Sequence, residues 1–419
     1  MTVHAPLLPM SQRDLHRSHT FRLVLEHRLT VAEAAQSLGV SERHVWRLKA
    51  RLATDGKRAL VHGNRGRPSG RRVPAALQQQ ILTLAQGRYA GLNTTHLTEK
   101  LQAEAGLTVS RATVHRLLQA AGVAWARHRR PPRHRARRPR KAQAGRLVLW
   151  DGSPHAWLEA RGPVCCLVAA LDDATGQLPP GAAFVPAEDT VSYLRLLQTL
   201  VQTCGIPVAL YMDRHGIFRR NDAAWTLAEE LRGRQDPTQV GRALEALGIE
   251  PIYALSPQAK GRIERVWGTL QDRLVAELRL AGIRTVDAAN AFLPTFSVQF
   301  NARFARPPAE ATPAWRPVPR GLDLDRICSL YTEATVLNDN TVRTQGTLIQ
   351  IPPGPGGRGY AKARVEVRHL LNGTWRIYHH DRLIATHHGT TGPPQHSLRR
   401  RRYTAGPSRR TDSFIEQLP

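Results

Sequence analysis

Apolar residues in the first part of the chain recur at the spacing of a helix. Between residues 17 and 60 they predict two amphipathic helices joined by a turn at Gly39, with Thr30 and Ser41 placed as N-caps. A helix, a short turn containing glycine and a second helix form the layout of a helix-turn-helix unit. The second helix has a basic outer face whose candidate contacts in a DNA major groove are Arg43, His44, Arg47 and Arg51. An ordinary helical hairpin is the alternative interpretation.

The same pattern returns further along the chain. Helices are predicted over residues 94–105 and 110–121, with Gly106 between them and Ser110 as the cap of the second helix. Repetition of the pattern favours a second helix-turn-helix unit over an isolated hairpin. The two domains predicted in this way cover residues 1–61 and 74–125.

Two basic segments without hydrophobic periodicity separate these domains from each other and from the rest of the chain. Residues 62–73 contain Arg65-Gly66-Arg67-Pro68, which resembles an AT-hook, a flat segment that inserts arginines into a narrow A·T minor groove. Arg65 and Arg67 are therefore candidate DNA contacts, although a plain basic linker explains the segment equally well. Residues 126–145 form the second linker, whose proline-interrupted arginines would face a phosphate backbone.

The pattern changes to strands alternating with helices after residue 145. Short apolar strands are predicted at 147–150, 164–171, 182–185, 208–212 and 249–253, and helices at 190–203, 240–247 and 257–280. Three strands followed by helix, strand, helix, strand and helix is the order of an RNase H-like α/β core. We therefore expect such a core over residues 146–305.

Beyond residue 305 the chain is predicted to be rich in strands and to end in a basic, disordered tail. Within residues 306–392 an Asn372-Gly373 turn between alternating segments indicates a hairpin, and a small antiparallel β-barrel is the expected product. Residues 393–419 form the tail. The chain as a whole is thus predicted to be multidomain, with all-α units first, an α/β core in the middle and a β-barrel last.

The charge balance indicates a polyanionic partner. The 419 residues include 60 Lys and Arg against 33 Asp and Glu, so the formal net charge is +27. Arginine pairs bidentately with phosphate, which favours nucleic acid, although solubility or an arginine-rich genome would produce the same balance. Four cysteines fit a reducing compartment, and the sequence shows neither an apolar leader nor an apolar run long enough to span a bilayer. We therefore expect a cytoplasmic protein without a membrane partner.

Three carboxylates stand where strands and a helix could bring them together. Asp151 follows the first predicted strand, Asp213 follows the fourth, and Glu264 lies in the first turns of the long helix. In this strand order the first and fourth strands are neighbours, so we expect Asp151 and Asp213 to meet at their carboxyl ends. Three oxygen ligands without Cys or His suit Mg²⁺ or Mn²⁺, and two such ions can support phosphodiester chemistry. Each carboxylate alone would be an ordinary turn, cap or salt-bridge residue.

Basic side chains beside the three carboxylates are candidate contacts to the backbone of a nucleic acid. Lys260 lies one helical turn before Glu264 on the same face, so its ammonium group would sit where a phosphate enters. Arg262 flanks the same position. His215 comes two residues after Asp213 and would either touch the substrate or cap the strand.

Four further acidic residues are expected to be structural. Asp172 and Asp173 fall in an Asp-Ala-Thr-Gly turn, where an aspartate typically bonds to its own backbone. Glu188 and Asp189 precede the helix that follows the third strand, and we predict that they cap it. None of the four is assigned to the catalytic set.

Several stretches of the chain are similar to a known family. They are WDGSPHAWLEARGP, LVAALDDATG, LYMDRHGIF, SPQAKGRIERVWGTLQDRL and FNARFARPP. Together with the helical N-terminal domains they resemble bacterial insertion-sequence transposases of the DDE type with a retroviral integrase-like catalytic core, most of all the group labelled ISNCY. The resemblance implies that Asp151, Asp213 and Glu264 are the catalytic residues and that they hold two Mg²⁺ or Mn²⁺ ions.

The activity implied by the resemblance is cutting at the ends of the element and joining of the freed 3′-hydroxyl to target DNA. The implied partners are double-stranded DNA, as terminal repeats and as target, and further copies of the chain assembled on that DNA near the bacterial nucleoid. Asp213 and Glu264 are 51 residues apart, farther than in many integrase relatives, and the polar segment 219–237 accounts for this as an insertion. No Cys precedes Cys165, so the N-terminal zinc module of retroviral integrases is not expected. A catalytically inactive DNA-binding regulator and a stand-alone RNase H-type nuclease are the other interpretations.

Overall fold

The computed structural model describes residues 11–60, 72–123, 138–220, 224–254 and 261–389. The chain divides into two compact units, Met1–Gln80 and Ile81–Pro419. Several predicted features lie outside the described residues, namely Arg65 and Arg67 of the AT-hook-like segment, most of the basic run at 127–141, Lys260 and the tail at 393–419. Among the described helices, none combines the length and the apolar character that a membrane span requires.

Three helices build the first unit. They are α1 (Gln12–Leu25), α2 (Val31–Leu38) and α3 (Glu42–Asp55), and a 3₁₀ turn at Gly56–Leu60 follows them. Thr30 caps α2, Gly39 ends it in the left-handed conformation with φ 63°, and Ser41 caps α3. Phe21 of α1 is fully buried in one apolar cluster with residues of α2 and α3. The predicted helix-turn-helix pair is therefore formed by α2 and α3, and α1 completes its core.

Three more helices precede the central sheet. They are α4 (Ala75–Gln86), which crosses the boundary between the two units, α5 (Thr94–Ala105) and α6 (Arg111–Ala120). Asn93 caps α5, Gly106 ends it with φ 66°, and Ser110 caps α6. Leu101 and Val114 are fully buried. The second pair of helices thus lies where the sequence predicts it, with Gly106 and Ser110 in the predicted roles.

A five-stranded mixed sheet forms the centre of the second unit. Its strands are β1 (Val148–His155), β2 (Cys165–Asp172), β3 (Ala183–Val185), β4 (Ala209–Met212) and β5 (Glu250–Tyr253). The order is β3–β2–β1–β4–β5, in which β1 runs antiparallel to β2 and parallel to β4, and β4 runs parallel to β5. The predicted neighbourhood of the first and fourth strands is confirmed.

Helices cover both faces of this sheet, as a central sheet with buried strands requires. One face packs against α7 (Thr190–Cys204) and α9 (Gln239–Ala246), and the other against α10 (Gly261–Leu280) and α11 (Val286–Phe304). Successive residues of a strand point to opposite faces. Trp150 therefore packs with the first pair of helices and its neighbour Leu149 with the second. The predicted insertion at 219–237 contains a short helix, α8 (Leu227–Arg232).

The C-terminal part is rich in strands but does not form the predicted barrel in the described residues. After α12 (Leu324–Ile327) come β6 (Leu330–Thr335), β7 (Thr341–Thr344), β8 (Thr347–Gln350), β9 (Arg364–His369), β10 (Thr374–His379) and β11 (Arg382–His388). Four of the strands make an open sheet in the order β11–β10–β9–β6, and β7 and β8 make a separate hairpin. The predicted turn at Asn372-Gly373 joins β9 to β10. The hairpin contributes Val342 and Ile349 to the apolar core of the sheet, so it covers one face and leaves the sheet unclosed.

Candidate active site

Asp151 lies inside β1, not after its end as the sequence predicts. The strand continues to His155 because its antiparallel partner β2 pairs with it along the whole length, with Asp151 opposite Ala169. On the other side, β1 pairs with β4 only through Val148 and Leu149. Asp151 therefore lies just beyond the last pair of the parallel ladder, where the β4 side of the strand opens.

Asp213 directly follows β4 and belongs to the same edge of the sheet. Leu149 pairs with Tyr211, so continuing that register by two residues brings Asp151 opposite Asp213. Leu149 and Tyr211 both pack on the α10 side, and a step of two residues keeps the same face. The backbone N–H of His215 donates to Oδ1 of Asp213 at 2.9 Å, which fixes the carboxylate in a local turn.

Glu264 lies in the first turn of α10, with an exposed side chain. The buried stripe of this helix contains Ile263, Trp267 and Leu270, as predicted. The indole N–H of Trp267 donates to Oδ2 of Asp151 at 2.9 Å, so the helix is held on the strand less than one turn from Glu264. In the described part of the chain, however, no group of three acidic, His or Cys side chains is close enough to bind a metal ion.

Glu188 is the functional candidate that sequence reasoning missed. Asp189 caps α7 as predicted, but the side chain of Glu188 is not part of the cap. A Cβ atom at position 152 would overlap Oε1 of Glu188, so this carboxyl group packs over Gly152, the residue that follows Asp151. Tyr193 of α7 donates its hydroxyl to the same oxygen at 3.3 Å.

The electrostatics agree with this placement. Burial raises the pKa of the Glu188 carboxyl above its usual value, and the charges of Asp151 and Asp213 raise it further, whereas His215 acts in the opposite direction. Asp151, Asp213 and Glu188 therefore form one acidic site. The sequence signal for this contact is Gly152, directly after Asp151. Only a residue without a side chain leaves room for Glu188 at that position.

Asp172 and Asp173 both accept hydrogen bonds within the protein, but the predicted bond to a backbone group of the turn is made by Asp172 and not by Asp173. Asp172 accepts hydrogen bonds from the backbone and hydroxyl of Thr175, each at 2.8 Å, which is the predicted turn. Asp173 is fully buried and accepts from the guanidinium group of Arg138 at 2.6 Å and from that of Arg262. It thereby ties the end of the basic linker to the first turn of α10.

The predicted DNA contacts have different surroundings in the structure. Arg43, Arg47 and Arg51 are exposed on α3, and a nitrogen of the Arg47 guanidinium lies 2.6 Å from Nδ1 of the half-buried His44. His215 is exposed, and its Nδ1 lies 3.4 Å from the backbone nitrogen of Ile217. Four of these side chains are thus presented by one helix of the first unit.

Arg262 does not have the surroundings expected of a DNA contact, and α3 exposes an aromatic side chain that the sequence analysis did not single out. The guanidinium group of Arg262 is directed to Asp173 and to the carbonyl of Arg138, so it is engaged within the protein. Trp46 on α3 is 56% exposed with the ammonium group of Lys49 over its ring. Sequence reasoning did not single out this tryptophan, because its position between basic residues does not distinguish an exposed ring from a buried one.

Comparison with known proteins identifies a DNA-binding module and two curated relatives. Residues 20–79 match the winged helix-turn-helix family. The chain is 41% identical over 312 residues to "Putative transposase y4bF" of Sinorhizobium fredii, covering 74% of this chain and 66% of the relative. It is 30% identical over 319 residues to the transposase for insertion sequence IS1202 of Streptococcus pneumoniae, covering 68% of this chain and 66% of the relative. The aligned part thus spans just under two thirds of each relative's length.

Two solved structures that resemble the chain have low TM-scores and low sequence identity. A simian T-cell lymphotropic virus intasome in complex with the PP2A regulatory subunit B56 gamma is 13% identical, covers 68% of this chain and 91% of its own, and has a TM-score of 0.29. The HTLV-2 integrase catalytic core domain with magnesium is 14% identical, covers 36% and 83%, and has a TM-score of 0.25. These scores are too low to support a conclusion about the fold. The two curated relatives and the helix-turn-helix match together support a bacterial insertion-sequence transposase.

Proposed function

We propose that the protein is a metal-dependent DNA transposase that cuts the ends of its insertion sequence and transfers the freed 3′-hydroxyl to target DNA. One observation supports the proposal: β1 pairs in parallel with β4, and the register of that pair directs Asp151 and Asp213 to the same edge of the sheet, to which Trp267 fastens the helix that bears Glu264. In a member of this family, such an edge is where phosphodiester chemistry is expected. The substrate is double-stranded DNA, and the site of action is the bacterial cytoplasm.

The donor set fits a hard divalent cation, because it consists of carboxylate oxygens without Cys or His sulfur or nitrogen. Asp151, Asp213 and Glu264 would hold two Mg²⁺ or Mn²⁺ ions. When bound, such a pair activates an attacking oxygen and stabilises a leaving one at phosphorus. The contribution of this chain is to orient the ligands: Trp267 holds Asp151, and the His215 backbone holds Asp213.

DNA binding is assigned to the basic surfaces. We place α3 in a major groove, with Arg43, His44, Arg47 and Arg51 as its contacts, and the arginines Arg65 and Arg67 in an adjacent minor groove. Lys260 and His215 would contact the backbone beside the cut bond, whereas Arg262 acts through Asp173 to position the start of α10. Joining two ends as a pair needs one site per end, so the active form on DNA contains at least two copies of the chain.

The test is strand cleavage and joining on oligonucleotides that bear the ends of the element, with Mg²⁺ present. Asp151→Asn, Asp213→Asn and Glu264→Gln should each abolish both reactions, because an amide cannot supply the ligand charge. Binding of end DNA should persist in all three variants. Glu245→Gln, which neutralises an exposed glutamate on α9, is the matched control and should keep full activity.

Two results would contradict the proposal. If all three variants still cut, Asp151, Asp213 and Glu264 are not the catalytic residues. If the wild-type chain binds the ends and never cuts in Mg²⁺ or Mn²⁺, the protein is a DNA-binding regulator.

A further inference from the structure

Helix α5 of the second helix-turn-helix pair is attached to the C-terminal half of α10 by charged and polar side chains. Nε2 of His96 lies 2.7 Å from Oε1 of Glu277, and Nζ of Lys100 donates to Oε2 of the same carboxylate at 2.7 Å. The guanidinium group of Arg273 donates two hydrogen bonds to the carboxylate of Glu99, at 2.8 and 3.0 Å. We call the α5 side of this contact the docking face, and it consists of Asn93, His96, Glu99 and Lys100.

Two further bonds extend the same contact. The side-chain amide of Asn93, the N-cap of α5, donates to Asp272 of α10. Arg303 of α11 donates to Glu99 alongside Arg273. The docking face therefore engages two helices that cover one side of the central sheet, and a rotation of α5 would break several bonds at once.

Burial distinguishes these pairs from ordinary surface salt bridges. The side chains of His96, Arg273 and Lys100 are 2%, 11% and 17% exposed. Charge-assisted and bidentate pairs of this kind fix a geometry, since each partner left alone would be a partly buried, uncompensated charge. The contact is thus built to hold one arrangement.

Helix α6 is left on the outside by this arrangement. Arg111, Arg116 and Gln119 are exposed on it, while Val114 and Leu118 pack inward. In a helix-turn-helix pair the second helix enters the DNA groove. DNA bound by α6 would therefore be held by a body that is itself fixed to α10.

Helix α10 connects that contact to the acidic site. Glu264 lies in its first turn, and Asp272 and Glu277 follow about 12 and 20 Å further along the helix axis. Trp267 holds the same helix to Asp151. One continuous helix thus carries both the catalytic candidate and the attachment of the second helix-turn-helix pair.

We propose that the docking face holds α6 at a fixed distance from the acidic site and thereby sets which phosphodiester bond is cut. This inference rests on the proposed transposase function. It adds that the second helix-turn-helix pair is a fixed part of the core, so DNA held by α6 enters the acidic site in one register. Asn93, Glu99 and Lys100 with Glu277 are positioning residues and do not touch the reacting atoms.

The disrupting variant is Glu99→Arg, which places like charges beside Arg273 and Arg303 and keeps a good helix former in α5. Glu99→Arg combined with Arg273→Glu restores an opposite pair. Gln102→Arg adds a positive charge to an exposed position of α5 and is the matched control.

Two measurements are made on the full chain. In the first, the cut positions on end DNA in Mg²⁺ are mapped to single nucleotides. In the second, which needs no cleavage, spin labels at Gln119→Cys on α6 and Val298→Cys on α11, in a Cys204→Ser background, report the distribution of distances between the two helices.

Wild type and Gln102→Arg should cut one bond and show a narrow distance distribution. Glu99→Arg should broaden the distribution and spread at least half of the cuts over neighbouring bonds, and the double variant should restore both. A broad distribution of distances in the wild type overturns this inference alone. So does a single cut position that Glu99→Arg retains although its distribution is broadened. If the wild-type chain has the narrow distribution of distances but cuts nothing, the proposed function is contradicted, and so is the inference that rests on it.

Discussion

The two helix-turn-helix pairs follow the same sequence pattern, but their first helices make different contacts. In α2 the charged residue Glu33 bonds to its own N-cap, and the buried residues Ala34 and Ala35 pack within the first unit. In α5 the charged residues Glu99 and Lys100 bond to α10 and α11 of the central domain. The comparison shows that one local motif can form a self-contained unit in one place and an attached part of the core in another.

The largest expected effect is the loss of stability when a buried side chain is removed from the core of either helix-turn-helix pair. Phe21→Ala should cost about 3–5 kcal/mol of stability and unfold α1–α3, because Phe21 is fully buried there. Leu101→Ala should cost about 2–5 kcal/mol and loosen α5 together with the C-terminal half of α10. Hydrogen exchange resolved by helix measures both changes.

The exposed Leu15→Ala serves as the control for this pair of variants and should change stability by less than about 0.5 kcal/mol. If Phe21→Ala also loosens α10, the first unit is not independent. If Leu101→Ala leaves α10 fully protected from exchange, α5 is not coupled to it.

An intermediate effect concerns DNA reading by the first pair. Arg43→Ala or Arg47→Ala should weaken binding to end DNA by about 1–3 kcal/mol if the side chain reads a base edge. Both side chains are exposed on α3. Affinities for end DNA and for random DNA, measured at several salt concentrations, provide the readout. An equal loss on both DNAs, with a salt slope that falls by about one unit, would assign the residue to a phosphate contact.

The smallest expected effect is a pH dependence of the attachment of α5. Burial alone would raise the pKa of the Glu277 carboxyl, but hydrogen bonds from His96 and Lys100 outweigh it and lower the pKa below the ordinary value of 4.5. A lowered folded-state pKa stabilises the fold above the unfolded value, and this contribution is lost as the pH falls through the folded-state pKa.

The unfolding free energy of the second unit should therefore fall by up to about 1 kcal/mol more in the wild type than in Glu277→Gln between about pH 6 and pH 3. Chemical denaturation at a series of pH values measures the difference. Equal pH profiles for the two proteins would show that Glu277 is not charged and paired in the folded chain.

Much of the fold followed from local patterns. Thr30, Gly39 and Ser110 have the predicted roles because a cap or a left-handed turn depends on residues within one helical turn. The order of the central strands was also predictable, since alternating strands and helices leave few arrangements. The pairing of Asp151 with the edge beside Asp213 followed from that order.

The length of β1 and the arrangement of the C-terminal strands depended on which strands pair with each other, and a local sequence pattern does not determine that. β1 extends through Asp151 because β2 offers it a partner along eight residues, and this length is set by the pairing of the two strands. The expected barrel failed for a similar reason, since β7 and β8 pair with each other and pack on the sheet instead of joining its edges.

By itself, the sequence determined the helices with their caps and the neighbouring central strands that lead to Asp151 and Asp213, because these depend on short-range periodicity and on few possible chain paths. Only the tertiary structure decided that Glu188 turns over Gly152, that Asp173 holds Arg262, and that α5 lies on α10. Each of these contacts joins residues between 36 and 181 positions apart. A cap or a turn is chosen by its neighbours, whereas the partner of a buried charge is chosen by which surfaces the folded chain brings into contact.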